Sequence, residues 1–162
     1  MDRVSNAEVV RIRLDPPPTY RELSATQIAR LGLAVASKDV PIAFTVHLEG
    51  RNPETNQVTA RLVALAWSYH VDDREILAGH LEEGLRFPPG QAVDVPLAIE
   101  FNLYRFFQGD ARALLETAAA LSGHASDRHD VELRLTPRMD TPLGLMDYPA
   151  PIRIRLASAP EN

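Results

Sequence analysis

The sequence predicts an antiparallel all-β fold with one helix, and three observations carry that prediction. Ile42, Phe44, Val46 and Leu48 alternate with Ala43, Thr45, His47 and Glu49, and the run ends in Gly50-Arg51-Asn52-Pro53. A second run puts Val63, Leu65, Trp67, Tyr69 and Val71 on one face. A third follows the Pro88-Pro89-Gly90-Gln91 turn, where Val93, Val95, Leu97, Ile99, Phe101 and Leu103 alternate without a break. Period-2 alternation between turn signals marks half-buried strands. Thirteen prolines in 162 residues fit many short strands better than long helices.

The remaining elements follow in chain order. Val10, Ile12 and Leu14 read as a first strand, ended by Asp15-Pro16-Pro17-Pro18. Thr19 and Glu22 have capping-box spacing, so Tyr20–Leu31 reads as a short helix stopped by Gly32, or as an irregular strand. Leu33 and Val35 open the next strand, and Lys38-Asp39 reads as a turn after them. Asp72-Asp73-Arg74 reads as a hairpin tip, and Leu77–Phe87 returns from it with Gly79 and Gly84 as bulge candidates. Pro96 marks its strand as an edge or as bulged. Ala111–Ser122 is the clear helix, with Asp110 as N-cap, Gly123 after its end, and Leu114, Leu115, Ala118 and Leu121 as its apolar stripe. Val131, Leu133 and Leu135 form a strand before Pro137; Thr141–Pro151 reads as an irregular connection; Ile152, Ile154 and Leu156 close the fold.

Composition narrows the function classes. The chain is long enough for one domain with a real core. Its net charge is −5 and Lys38 is its single lysine, which opposes nucleic-acid binding. It has no cysteine, so disulfides, thiol catalysis and Cys-zinc sites are excluded. No apolar run reaches the ~18 residues of a membrane helix. Met1-Asp2-Arg3-Val4 leads straight into a strand pattern rather than an export signal.

Each constellation that could carry chemistry has a simpler reading. His124, Asp127, His129 and Asp130 offer metal-ligand side chains, but without the helical spacing of a zinc protease. A metal-dependent hydrolase would need His124 and His129 to converge with a carboxylate; a solvated loop is the default. Glu82 and Glu83 are adjacent, so on a strand they face opposite ways and cannot flank one glycosidic bond. Asp72 and Asp73 fit a turn. Ser68, His70 and Asp72 fall in a row, but the nucleophile's sharp turn and an oxyanion hole are missing, and a solvated polar face is the expectation. Arg11, Arg13, Arg153 and Arg155 would form an anion patch only if the two terminal strands were neighbours; charged guarding of edges is the plainer account. No phosphate-binding glycine loop occurs.

Taken in order, four segments resemble the WHy domain (water stress and hypersensitive response) of group 2 late embryogenesis abundant (LEA type 2) proteins. They are Phe44–Pro53, Leu65–Val71, Ile76-Leu77-Ala78-Gly79, and Phe87-Pro88-Pro89-Gly90 followed by Val93, Val95 and Leu97. The resemblance spans Val35–Leu156, about three quarters of the chain. Glu54 departs from the family's second Asn, and the first forty residues match only loosely.

The resemblance implies a fibronectin-III/immunoglobulin-like β-sandwich over residues 35–156. Residues 1–34 would pack on it as a strand and connecting segment, and residues 157–162 would form a frayed tail. It also implies a non-enzymatic protein of stress or desiccation tolerance, or an accessory binding module of the cell envelope, with no cofactor, metal or catalytic residues. Many bacterial members are exported lipoproteins, so a periplasmic or envelope location with the export signal cut away is expected, with the cytoplasm as alternative. The partner would be a protein or an apolar ligand. In the second function class, a carrier or sensor of an apolar ligand such as a lipid, Trp67, Tyr69, Phe101, Leu114 and Leu121 would line a cavity.

Overall fold

A computed structural model describes residues 3–14, 16–82, 84–106, 111–121 and 130–155. Among these lie ten strands and two α-helices. The strands are β1 (Arg3–Val9), β2 (Ile12–Arg13), β3 (Pro41–Arg51), β4 (Ala60–Val71), β5 (Arg74–Leu81), β6 (Leu85–Phe87), β7 (Ala92–Asn102), β8 (Val131–Thr141), β9 (Gly144–Asp147) and β10 (Ile152–Arg155). The helices are α1 (Ala25–Ser37) and α2 (Ala111–Leu121). One sheet has the order β2-β1-β3-β7; the other has the order β10-β8-β4-β5, with β6 also on β4 and β9 also on β8.

The chain forms two compact units, and β3 and β7 run through both. The first unit holds residues 47–97 and 130–156, and with them the whole six-stranded sheet. Its core is Leu48, Leu62, Leu65, Tyr69, Val71, Phe87, Val95, Leu97, Val131, Leu133 and Leu135. β4 is central, pairing antiparallel with β8 along its length, with β5 over Leu65–Val71 and with β6 over Ala60–Leu62. The end of β3 lies against this sheet, because a Cβ at Gly50 would run into the Phe87 ring. The fold class is therefore the predicted antiparallel β-sandwich. In the second unit, residues 3–46 and 98–129, α1 packs on α2 and α2 on β1. Ile12, Leu14, Leu31, Ile42, Ile99, Leu103 and Leu114 are fully buried there.

Several boundaries differ from the sequence reading, each for a physical reason. The first strand does not begin at Val10. Val10 and Arg11 form the two-residue loop of a β1–β2 hairpin, with φ of 49° and 63°, and Val9 pairs with Ile12. The Thr19–Glu22 box exists, the Thr19 amide donating to Glu22 at 2.7 Å, but it opens only a 3-10 turn over Tyr20–Glu22. A second box, Ser24 with Gln27, starts α1, which runs through Gly32 to a left-handed cap at Lys38. Leu33 and Val35 are thus helical: one glycine costs a helix about 1 kcal/mol, and burial of Leu31 and Ala34 outweighs that. The fold therefore has a second helix beside the expected one.

The predicted Leu77–Phe87 return is two strands, β5 and β6, laid end to end on β4. The irregularity in the β4–β5 ladder falls at Ile76 rather than Gly79, since Tyr69 pairs with Leu77 but His70 with Glu75. Pro96 does lie on an edge strand, β7. β8 continues through Pro137 because its outer neighbours leave a gap there: β10 pairs with residues 132–135 and β9 with 138–141. The Pro137 carbonyl accepts from the Tyr148 amide at 2.8 Å on that side, so the absent N–H faces the gap and breaks no ladder.

Thr141–Pro151, expected to be irregular, contains the β8–β9 hairpin. Pro142 and Leu143 turn the chain and Gly144 follows with φ of +106°, a conformation that favours glycine. Asp110, Gly123 and Leu156 lie outside the described residues.

Candidate functional site

The polar groups that the sequence motifs bring together meet at Asn52. Pro53 ends β3 by offering no amide to a ladder, and the preceding side chain takes over the hydrogen bonding. Asn52 is 4% exposed. Its Nδ2 donates to the Val58 carbonyl at 2.9 Å and the Phe87 carbonyl at 2.8 Å, and its Oδ1 accepts from Asn56 Nδ2 at 2.6 Å. Its main-chain carbonyl accepts from the Gly90 amide at 2.8 Å. Both amide protons and the carbonyl of this side chain are thereby engaged.

The partner segment is a Pro88–Gln91 turn with Gly90 at φ +72°, closed by Gln91 N–H donating to the Pro88 carbonyl at 3.2 Å. Proline followed by glycine at the two central positions is the pattern of a type II turn. Gly90 is held to glycine by its φ, while the side chain that a Cβ would meet there, Glu54, is exposed.

A second polar cluster lies on the six-stranded sheet face opposite the core. Ser68 Oγ is 2.8 Å from His70 Nε2, and Glu75 Oε2 is 3.9 Å from the same nitrogen. His70 pairs across the ladders with Glu75 on β5 and Glu132 on β8, and Ser68 pairs with Arg134. Arg134 hydrogen-bonds Glu132 and reaches Asp73 at 3.4 Å, and it holds the Glu132 carboxyl below the usual carboxylate range. The expectation of a solvated face fails here. His70 is 5% exposed, and its Nδ1 has no hydrogen-bond partner. Ser68 and His70 do meet, as their period-2 spacing allows. However, the carboxylate is on the Nε2 side that the serine occupies, whereas a triad carboxylate orients the histidine through Nδ1. Asp72 is committed elsewhere, its Oδ1 accepting from the Asp130 amide at 3.0 Å.

The residues assigned to an apolar cavity divide between the two units. Trp67 and Tyr69 are on β4 in the first. Trp67 is half-buried and lies over Gly79, its cross-strand partner, where a Cβ would strike the indole. Gly79 is therefore a site of close approach rather than the bulge. Tyr69 is fully buried, and burial pushes its hydroxyl far above the ordinary tyrosine range. Phe101 and Leu114 are in the second unit. Phe101 meets Phe44 edge to face at 6.5 Å, and Leu114 is fully buried on α2. Leu121 ends α2, but its side chain lies outside the described residues.

His124, Asp127, His129 and Glu83 also fall outside the described residues. Among those described, no three His, Asp or Glu side chains group as a metal site requires. Asp72 and Asp73 are turn residues as expected, both left-handed (φ 50° and 62°). Arg13 is on β2 and Arg153 and Arg155 on β10, strands of different sheets, so the terminal strands are not the neighbours that the anion patch needed. Sequence reasoning missed Asn102. Its Oδ1 accepts from the Val40 amide at 3.1 Å and its Nδ2 donates to the Lys38 carbonyl at 3.0 Å, tying the end of β7 to the exit of α1. Among the described residues, no helix is long and apolar enough to cross a membrane.

No protein-family model matches the chain, and no curated protein sequence matches it. Among solved structures it is similar to the crystal structure of a protein from Archaeoglobus fulgidus, at 10% identity over 71% of this chain and 82% of that one, TM-score 0.46. It is similar to the X-ray structure of a Northeast Structural Genomics Consortium target at 13% identity over 97% of this chain and 86% of that one, TM-score 0.39. It is also similar to the solution structure of a protein described as a candidate late embryogenesis abundant (LEA) protein, at 14% identity over 98% of this chain and 71% of that one, TM-score 0.36.

Proposed function

We propose that this chain is a WHy-like, LEA type 2-like domain that works without catalysis, in stress or desiccation tolerance or as an accessory binding module of the cell envelope. The observation that supports this reading is the Asn52 node. Two of the segments that carry the resemblance, Phe44–Pro53 and Phe87–Gly90, converge there, and their polar atoms go into holding the sandwich together. Residues so engaged specify a fold, not a reaction. A folded sandwich has its backbone polar groups paired, so protection by this chain would work through a surface that holds a partner.

The test is drying and rehydrating a labile enzyme with and without the chain. Retained enzyme activity clearly above that given by an equal mass of serum albumin supports protection; equality with albumin removes the stress reading. A second reading, a carrier of an apolar ligand, is favoured by one observation: Trp67 stays half-buried although it belongs to the apolar row of β4. Native mass spectrometry separates the two. A mass excess lost on denaturation supports the carrier, and a bare mass after exposure to fatty acid removes it.

A further inference from the structure

Among the described residues, seven large apolar side chains remain exposed, and five of them fall within ten residues: Leu143 (91%), Leu145 (64%), Met146 (51%), Tyr148 (51%) and Ile152 (40%). The segment includes β9, whose described partner is β8 alone, so its other edge carries backbone groups unpaired with any described strand. The β7 edge, by contrast, is guarded. β7 has Pro96 with Asp94 and Glu100, and the stretch between β9 and β10 has Pro149 and Pro151. β9 itself, Gly144-Leu145-Met146-Asp147, has no proline and a single charge. That charge is already matched, because Arg138 Nε and its terminal nitrogen donate to the two Asp147 oxygens at 2.7 and 3.0 Å.

The occupant follows from charge, symmetry and area. A net charge of −5 makes copies of this chain repel over most of their surface. Residues 142–152 escape this repulsion, since Asp147 is their one acidic group and it is neutralised from within. An antiparallel strand edge is complementary to its own two-fold copy, needing no second surface evolved to match it. At these exposures the five side chains offer on the order of 500 Å² per copy, divided between the two faces of the segment because Leu145 and Met146 alternate, and edge-to-edge pairing sets both faces of one copy beside those of the other. Two copies would together bury on the order of 1,000 Å², where specific interfaces begin.

We propose that the chain forms a two-fold homodimer by antiparallel pairing of β9 edges, with Leu145 and Met146 at the centre and Leu143, Tyr148 and Ile152 around them. This stands independently of the stress-tolerance reading.

Sedimentation velocity of the full chain tests it, with the variants Leu145→Asp and Leu33→Asp. Leu33 is equally exposed, at 70%, but lies on α1. The wild-type chain and L33D should sediment as dimers with a Kd in the micromolar range, while L145D weakens association by about a hundredfold; circular dichroism checks that L145D keeps its fold. The absence of cysteine supplies a second measurement. Leu145→Cys should link two chains on mild oxidation and Leu33→Cys should not. Monomers at roughly 100 µM, or a dimer that L145D leaves intact, overturn the proposal. Monomers that instead float with phospholipid vesicles in a Leu145-dependent way overturn it in favour of a lipid surface.

Discussion

The corner after β3 and the hairpin after β1 turn the chain by opposite means. At Asn52 a side chain replaces the missing backbone bonds, and the residue type states its purpose. At Val10-Arg11 the backbone carries the whole burden. Both residues sit at positive φ, where a β-branched valine is strained, and nothing in their identity announces a turn. The hairpin is held from outside: Val9 and Ile12 are 0% and 1% exposed, and the Val10 amide donates to the Pro41 carbonyl at 3.0 Å. The Asp72-Asp73 hairpin lies between these extremes, with the same backbone but residues that tolerate it. A corner built by local chemistry is legible in a sequence, whereas one imposed by packing is not.

The largest effect expected from this contrast is at Asn52. Asn52→Ala leaves the buried Phe87 carbonyl and the part-buried Val58 carbonyl without their donor, and should cost about 3 kcal/mol in urea unfolding. A loss under about 1 kcal/mol would put the strength of the corner in the Pro88–Gln91 turn instead. Next is Asp72→Val, which copies the strained residue into the tolerant hairpin and also removes the bond from the Asp130 amide. A loss of about 2 kcal/mol is expected. The reverse exchange, Val10→Asn with Arg11→Gly, should stabilise by about 1 kcal/mol, because Asn-Gly suits this turn. If stability does not rise, the Val10 side chain contributes packing that outweighs its backbone strain.

Smallest are the dependences on pH. The hydrogen bond from Arg138 lowers the Asp147 carboxyl, so its contribution is present above the ordinary aspartate range and lost as pH falls through it. Both groups are exposed and the effect is shallow; Arg138→Ala should flatten the acid limb of a thermal-melting profile slightly. Burial raises Tyr69, so stability should fall as pH climbs past about 10, where the unfolded chain's tyrosine ionises first. Tyr69→Phe removes that component, and an unchanged alkaline limb would assign it to other groups.

The same contrast governs what was legible. The β3 strand, the Asp72-Asp73 tip, the Pro88–Gln91 turn and the edge position of Pro96 each have a local cause, and each stands where the sequence places it. The Val10-Arg11 turn, the passage of α1 through Gly32 and that of β8 through Pro137 depend on neighbours distant in sequence. The candidate sites follow suit. Period-2 spacing put Ser68 and His70 on one face, but the burial of His70 comes from what surrounds it on adjacent strands, which no spacing reveals. The exposed β9 hairpin was hidden for another reason. Its three prolines made Thr141–Pro151 look irregular, though each stands outside the four residues that pair.

Trp67 is the single tryptophan, and it belongs to the unit that contains no helix among the described residues, while α1 and α2 both belong to the other. Its fluorescence therefore reports on one unit, and ellipticity at helical wavelengths on the other. Two optical signals followed through a single thermal scan thus give an internal test of cooperativity: superimposed curves mean one all-or-none transition, and separated midpoints mean that each unit melts on its own.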